Sequence, residues 1–187
     1  MSLVMAFATE DFAVLSGDLR RTYINDDNEF YDDTPKSFII NSRVLGGLSG
    51  DCDISMFLLD KLKQVGEKAN IESVARLIRK ELRSLKLPDI QQTVILSGLS
   101  DNGKVGIIEL KHQNKFKIEK IKVPSGEIKW LYAFPYVDPG EIINDYFQSL
   151  DEVTIESISE LAKLVNEKVS EYDIRVSTEC VIHSYTN

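Results

Sequence analysis

Short apolar runs separated by turn residues dominate the first part of the chain and predict two pairs of β-strands. Between the two pairs lies a polar, acidic segment from Asn25 to Asp33, for which we expect an exposed loop. The predicted strands are residues 3–8, 12–15, 37–40 and 44–48.

Apolar residues recur at three- and four-residue steps in later segments, which is typical of amphipathic helices. Two predicted helices follow each other over residues 52–66 and 71–85, and Pro88 bounds the second of them. Two more helices are expected in the last third of the chain. One has Pro139 in its first turn, and Thr154 caps the other, which is longer.

The middle and the end of the chain have strand-like patterns. Residues 93–96 and 105–110 flank Asp101-Asn102-Gly103, a strong hairpin signal. Further strands are predicted over residues 116–123 and 178–183. Hairpins imply antiparallel sheets, and two helix pairs can cover two outer faces, so the pattern predicts an α+β sandwich. No repeat or flexible linker interrupts it, and we expect a single domain over residues 1–187.

Composition excludes several classes of function. A net charge of −8 argues against binding to a nucleic-acid backbone, which requires clustered Lys and Arg. No apolar run is long enough to span a membrane. Two cysteines and two histidines without metal-type spacing predict neither a disulfide nor a metal site, and they favour a cytoplasmic location. We expect no cofactor.

Two blocks of residues have a spacing that suggests chemistry. In the first, Asp18-Leu19-Arg20-Arg21-Thr22 begins sixteen residues after Ser2. In the second, Lys36 precedes a strand, and Gly50 follows it by fourteen residues at the start of a predicted helix. Each residue alone also has a structural explanation, since Asp18 could cap a turn and Lys36 could be a solvated strand-edge charge. Their joint spacing favours a shared site.

These blocks resemble the N-terminal part of proteasome β subunits and of their bacterial ATP-dependent protease relative. They are also similar to an uncharacterised archaeal group of proteasome-like proteins. The resemblance implies a four-layer αββα sandwich of two antiparallel sheets, the fold of N-terminal-nucleophile hydrolases. It covers most of the chain, most clearly up to about residue 65.

The resemblance also assigns roles to individual residues. Ser2 becomes the nucleophile once Met1 is removed, because the free α-amino group can then accept the hydroxyl proton. Lys36 supplies positive charge, Asp18 holds Lys36, and the Gly50 amide stabilises the oxyanion. The residues implied around the pocket for the substrate side chain are Arg21, Leu48, Cys52 and Met56.

The chain departs from the family pattern at the group that positions the amine. Family members carry a Ser after the central strands, and residues 131–136 contain none. They also carry an Asp-x-x-Ser motif, of which this chain keeps Asp173 but has Val176 at the Ser position, with Ser177 one residue later.

Two functions therefore remain open. The first is a hydrolase of peptide or small amide bonds that uses Ser2. The alternative is a catalytically inactive proteasome-fold protein with an assembly or binding role. In either case the resemblance implies a homo-oligomer, with aromatic residues 130–136 and the helix from Cys52 to Val65 as contact surfaces.

Overall fold

A computed structural model describes residues 2–23, 26–85 and 91–187. The secondary structure alternates between groups of strands and pairs of helices, as the sequence pattern predicts. Its elements are β1 Val4–Ala8, β2 Phe12–Asp18, β3 Arg20–Tyr23, β4 Asp26–Asp32, β5 Ser37–Asn41, β6 Val44–Gly50, α1 Cys52–Leu62, α2 Ile71–Ser84, β7 Gln92–Leu99, β8 Val105–Lys111, β9 Glu119–Ile121, β10 Lys129–Ala133, α3 Gly140–Gln148, α4 Ile155–Ser170 and β11 Cys180–Thr186.

One antiparallel sheet has five strands in the order β5-β6-β7-β8-β9. Helices α1 and α2 cover it, because their apolar positions pack on alternate residues of the central strands. This cluster includes Leu58 and Ile78 from the helices and Val94 and Ile108 from the sheet, all nearly or fully buried. Burial of this apolar stripe supplies the main force that holds the helices to the sheet.

A second antiparallel sheet has four strands in the order β10-β1-β2-β11. Helices α3 and α4 supply Ile143, Leu161 and Val165 to a cluster that includes Leu3 and Phe7 of the N-terminal segment. Helix α4 begins with a capping box, in which the Thr154 side chain accepts from the Ser157 amide and the Ser157 hydroxyl accepts from the Thr154 amide. The predicted cap at Thr154 is confirmed.

A third apolar cluster contains residues from both larger sheets. Ala6 and Leu15 come from the four-stranded sheet, and Ile95 and Ile107 come from the five-stranded sheet. The described chain is therefore a mixed fold of strands and four helices, in which apolar side chains join the two larger sheets.

A separate two-stranded ribbon corrects one prediction. The acidic segment, predicted to be a loop, contains strand β4, which pairs with β3. Its polar residues can form a strand because paired side chains neutralise one another: the Arg20 guanidinium binds Asp32 with Nε–Oδ1 and Nη2–Oδ2 distances of 2.7 Å. Asn25, where the predicted loop begins, lies outside the described residues.

Several predicted boundaries also change. Helix α1 ends at Leu62 and not at residue 66. The strand predicted over residues 116–123 is only Glu119–Ile121, because Phe116 has a positive φ of 55° at the end of a short 3-10 turn. The closing strand runs over Cys180–Thr186 and not over residues 178–183. Pro88, the predicted boundary of the second helix, lies outside the described residues.

The aromatic segment 130–136 is less exposed than predicted. Trp130 packs against Phe147 of α3 with a ring-centroid distance of 5.2 Å, and Tyr132 and Phe134 also pack on the core cluster beneath α3 and α4. Only Tyr136 of these four aromatics is mostly exposed, at 63%. The predicted aromatic contact surface therefore shrinks to the neighbourhood of Tyr136.

Candidate active site

A cavity of about 510 Å³ opens beside the N-terminal segment. Its walls come from the start of β1, the β3 region, the segment before β5, the end of β6 and the first turns of α1. Seven of the nine site residues predicted from sequence line it, and the two that do not are Asp18 and Asp173. The seven are Ser2, Arg21, Lys36, Leu48, Gly50, Cys52 and Met56.

Ser2 is held at the cavity by its own backbone. The Ser2 nitrogen donates to the Ser49 hydroxyl at 2.8 Å, and that hydroxyl donates to the Ser2 carbonyl oxygen, also at 2.8 Å. Both residues are buried, at 4% and 1% exposure. Because Ser49 belongs to β6, this reciprocal pair joins the N-terminal segment to the five-stranded sheet.

Asp18 lies at the end of β2, directly beside the start of β1. Its amide donates to the Leu3 carbonyl at 3.1 Å, and its Oδ2 accepts from the Leu3 amide at 2.6 Å. The other carboxylate oxygen accepts from the Arg20 amide at 2.7 Å. The sixteen-residue spacing between Ser2 and Asp18 is thus explained by the β1–β2 hairpin, which brings the two ends of its strands together.

Burial dominates the electrostatics of Asp18. It raises the pKa of the carboxyl to about 7, although the nearby Lys36 charge, the two amide hydrogen bonds and the N-terminus all act to lower that pKa. The group is 0% exposed, so the charged form loses nearly all its contact with water. Asp18 is therefore a carboxyl whose charge changes near neutral pH.

Lys36 connects the two larger sheets through its backbone. Its amide donates to the Asp18 carbonyl at 3.2 Å, and its own carbonyl accepts from the Leu48 amide at 2.9 Å. The Lys36 ammonium donates to the Thr34 carbonyl at 2.8 Å. Burial lowers the pKa of Lys36, and the attraction of Asp18 opposes that shift. Asp18 and Lys36 are therefore coupled by charge, while the hydrogen bonds given above connect each of them to backbone.

Two glycines allow the close approach of these segments. A Cβ atom on Gly17 would lie 2.7 Å from the Ser37 nitrogen and 2.8 Å from the Lys36 carbonyl carbon. Gly50 has a φ of +143°, and a Cβ there would lie 2.0 Å from the Gln91 carbonyl oxygen. A side chain at either position would push backbone apart at the site.

The far wall of the cavity combines apolar and charged side chains. Leu48 is buried, whereas Met56 is 58% exposed and Cys52 is also exposed. Arg21 forms an ion pair with Asp33 at 2.9 Å. Sequence reasoning missed two further cations on this wall, Arg20 and Arg175, because their approach depends on the β3–β4 ribbon and on the loop after α4.

Asp173 is buried but makes its contacts elsewhere. Its Oδ2 accepts from the amides of Tyr136 and Val137 at 3.0 and 3.1 Å, and its Oδ1 accepts from the Arg175 amide at 3.0 Å. The nearby Ser177 hydroxyl accepts from the Leu19 amide and donates to the Glu179 carbonyl. These bonds organise loops, and the Ser2 nitrogen has Ser49 as its partner instead.

Sequence reasoning also missed Ser49, the residue that binds the Ser2 backbone. A Ser beside a Gly at the end of a strand is read most simply as a turn residue, so neither its type nor its spacing singles it out. Only the pairing of β6 with its neighbours reveals that it faces Ser2. Met1, whose removal the resemblance requires, lies outside the described residues.

Neither a model of a known protein family nor a curated protein sequence matches this chain. A solved structure does: the crystal structure of eukaryotic HslV from Trypanosoma brucei is similar with a TM-score of 0.66 and 17% identity. The match covers 99% of this chain and 99% of that chain. The chain has a proteasome-like fold. This similarity supports the coarser prediction of a proteasome-like fold with mixed strands and helices.

None of the helices in residues 2–23, 26–85 and 91–187 combines the length and the apolar character that a membrane crossing requires. Over the same ranges, no group of three or more His, Cys, Asp or Glu side chains is arranged to hold a metal ion.

Proposed function

We propose that this protein is an N-terminal-nucleophile hydrolase of peptide or small amide bonds, with Ser2 as nucleophile after removal of Met1. The observation that carries the proposal is the cavity shared by Ser2, Lys36 and Gly50, beside which Asp18 supports the start of β1. These residues come from separate segments of the chain, so a purely structural role for each would not require that they converge.

The proposed reaction follows from the chemistry of these groups. The Ser2 hydroxyl oxygen attacks the substrate carbonyl carbon while its proton passes to the free α-amino group. The carbonyl oxygen takes the electron pair and is stabilised by the Gly50 amide. Collapse of that intermediate breaks the amide C–N bond, and the proton leaves with the departing nitrogen. Water then hydrolyses the resulting ester and restores Ser2.

The Asp18–Lys36 pair contributes electrostatics and not proton transfer to substrate. A positive charge at Lys36 disfavours protonation of the nearby α-amino group, which keeps a larger fraction of that base neutral at physiological pH. Asp18 in turn favours the charged form of Lys36. The substrate pocket would be formed by Leu48 and Met56, with Cys52 beside them and Arg21 at the rim.

The test begins with the mass of the intact protein, which distinguishes chains with and without Met1. Met1-free protein is then treated with a peptide epoxyketone, a reagent that requires both the hydroxyl and the free amine, and is assayed with a fluorogenic peptide library. We expect labelling of the wild type and none of Ser2→Ala, with Ser2→Thr still labelled. Labelling that survives Ser2→Ala would exclude this mechanism.

A second candidate function, a catalytically inactive assembly or binding protein, is favoured by one specific observation. The loop groups that would position the amine are engaged elsewhere: Asp173 binds the amides of Tyr136 and Val137, and residues 131–136 contain no Ser. Failure of confirmed Met1-free wild type to react with the epoxyketone or to cleave any peptide would favour this function.

Finer features of the proposal concern architecture and assembly. We infer that the three apolar clusters stack the sheets and helices as a four-layer αββα sandwich, and that the protein is a cytoplasmic homo-oligomer related to the archaeal proteasome-like group. Exposed Tyr136 and Met56 support the contact surfaces near β10 and α1. Light scattering should give a mass well above 21.2 kDa at micromolar concentration, and a clean monomer would contradict the assembly.

A further inference from the structure

We propose that Ser49 is a positioning residue that orients the Ser2 amine, so that the nitrogen lone pair is free to accept the proton of the Ser2 hydroxyl. This inference rests on the proposed function, because it concerns the same nucleophile. It starts from the reciprocal hydrogen bonds between Ser49 and Ser2, one to the nitrogen and one to the carbonyl oxygen, both 2.8 Å long.

The direction of these two bonds decides what Ser49 can do. A serine hydroxyl has one proton and two lone pairs. Its proton is donated to the Ser2 carbonyl oxygen, so towards the Ser2 nitrogen it can act only as an acceptor. Once Met1 is removed, the neutral amine has two N–H groups and one lone pair. Since Ser49 takes an N–H, it cannot occupy the lone pair, which is the part of the amine that a general base needs.

The same bonds also fix the direction of the lone pair. An amine held only at its Cα can rotate and present any of its positions to the hydroxyl. The bond that the Ser49 hydroxyl donates to the Ser2 carbonyl oxygen anchors that peptide group, and the bond that the Ser2 nitrogen donates to Ser49 then restricts rotation about N–Cα. Ser49 is 1% exposed, so water competes little for either bond.

This arrangement replaces the missing family groups. Residues 131–136 lack the serine that the resemblance leads us to expect, and Ser177 donates to Glu179. Ser49 supplies an acceptor for the amine from a different direction, the end of β6. It does not line the described cavity, so it acts on Ser2 and not on substrate.

The test compares Met1-free wild type with Ser49→Ala, Ser49→Cys and Ser49→Thr. Ser97→Ala is the matched control, because Ser97 is also a buried strand serine whose hydroxyl donates to a backbone carbonyl, that of Gly106. We expect Ser49→Ala to lower kcat by about tenfold, the equivalent of one hydrogen bond, with KM unchanged within about twofold. Ser49→Thr should restore most of kcat, and Ser97→Ala should have no effect on it.

The pH dependence separates positioning from a merely structural role. An acceptor at the amine favours its protonated form, so loss of Ser49 should lower the pKa of the amine and move the acidic limb of kcat/KM to lower pH. A structural role alone would reduce the melting temperature and leave this limb in place. If Ser49→Ala fails to fold, the same pH profile is measured on Ser49→Cys, in which sulfur fills the same position but is a weaker acceptor.

The outcomes distinguish this inference from the proposed function. If wild type shows no turnover, the proposed function fails, and pH-dependent acetylation of the Ser2 α-amine still measures the amine pKa in wild type and in Ser49→Ala. A lower amine pKa in the variant supports the role of Ser49. The role of Ser49 would be overturned by a folded Ser49→Ala protein that has the same kcat and the same amine pKa as the wild type.

Discussion

Two buried aspartates that were predicted for one site lie in different environments. Asp18 ends a strand beside Ser2, the proposed nucleophile, accepts two amide hydrogen bonds and is coupled by charge to Lys36. Asp173 lies in the loop after α4 and accepts three amide hydrogen bonds from two loops. The residue type and the degree of burial are alike. The difference is Lys36, whose charge is coupled to that of Asp18 at the cavity. The described hydrogen bonds of the Asp173 carboxylate come from backbone amides alone.

The largest expected effect is that of changing Lys36, the charged residue coupled to Asp18. Lys36→Ala should reduce turnover at least about 1,000-fold, nearly as much as Ser2→Ala, and the double variant should be little worse than either single one because the groups act as a unit. Lys104→Ala, at an exposed lysine paired with Glu10, is the control and should match wild type in the same peptide assay. Additive losses in the double variant would contradict a shared site.

The second effect is a dependence of stability on pH that originates at Asp18. Because its folded pKa is about 7 and its ordinary value is 3.8, the folded protein binds more protons at this group than the unfolded chain between those values. The free energy of unfolding contributed by Asp18 should therefore fall as pH rises from about 4 to about 7, by up to about 1.4 kcal/mol per pH unit.

Urea denaturation of wild type and Asp18→Asn at several pH values measures this contribution, since the amide does not titrate. The unfolding free energy of wild type minus that of Asp18→Asn should therefore fall with rising pH, because only the wild-type value changes at this position. Lys36→Met should extend the fall to higher pH, because Lys36 lowers the folded-state pKa of Asp18. Parallel stability curves for wild type and Asp18→Asn would show that Asp18 does not titrate in this range.

A third, smaller effect is expected at Asp173, where a substitution should lower stability but not turnover. Asp173→Ala removes the acceptor of three amides and should lower the free energy of unfolding by about 3 kcal/mol. Turnover per folded molecule should stay within a few-fold of wild type, and Asp173→Asn should recover part of the stability. If Asp173→Ala remains folded but loses as much turnover as Lys36→Ala, Asp173 contributes to the active site in the way proposed for Asp18.

The smallest effect is expected at the cavity rim. Met56 is 58% exposed, so Met56→Ala removes limited apolar contact with a bound side chain. We expect KM for peptides with an apolar residue at the cleaved bond to rise less than about tenfold, at unchanged kcat. An unchanged KM across all peptides in the library would remove Met56 from the substrate pocket.

Much of this arrangement could be predicted from the sequence because it depends on local spacing. The hairpin that joins Ser2 to Asp18 and the strand that follows Lys36 are continuous segments with clear apolar patterns and tight turns. The helices were predicted for the same reason, with errors of a few residues at their ends, as at Leu62.

The remainder depends on contacts between distant segments, which no local pattern encodes. Strand β4 was missed because its stability comes from cross-strand pairs such as Arg20 with Asp32, and not from apolar alternation. Ser49 was missed because its partner lies 47 residues away in sequence. The loop bonds of Asp173 depend on the docking of the segment around Tyr136, which the sequence pattern does not indicate.

The backbone bonds of Lys36 have a consequence for the timing of activity during folding. Its amide is joined to one large sheet through Asp18 and its carbonyl to the other through Leu48, while Ser2 and Ser49 form a second bridge between the same sheets. A chain in which only one sheet has formed lacks both bridges and the cavity walls that the other sheet contributes. We therefore expect a partly folded molecule to be inactive, and a hydrolase of the proposed kind to gain its reactivity only when the two sheets dock.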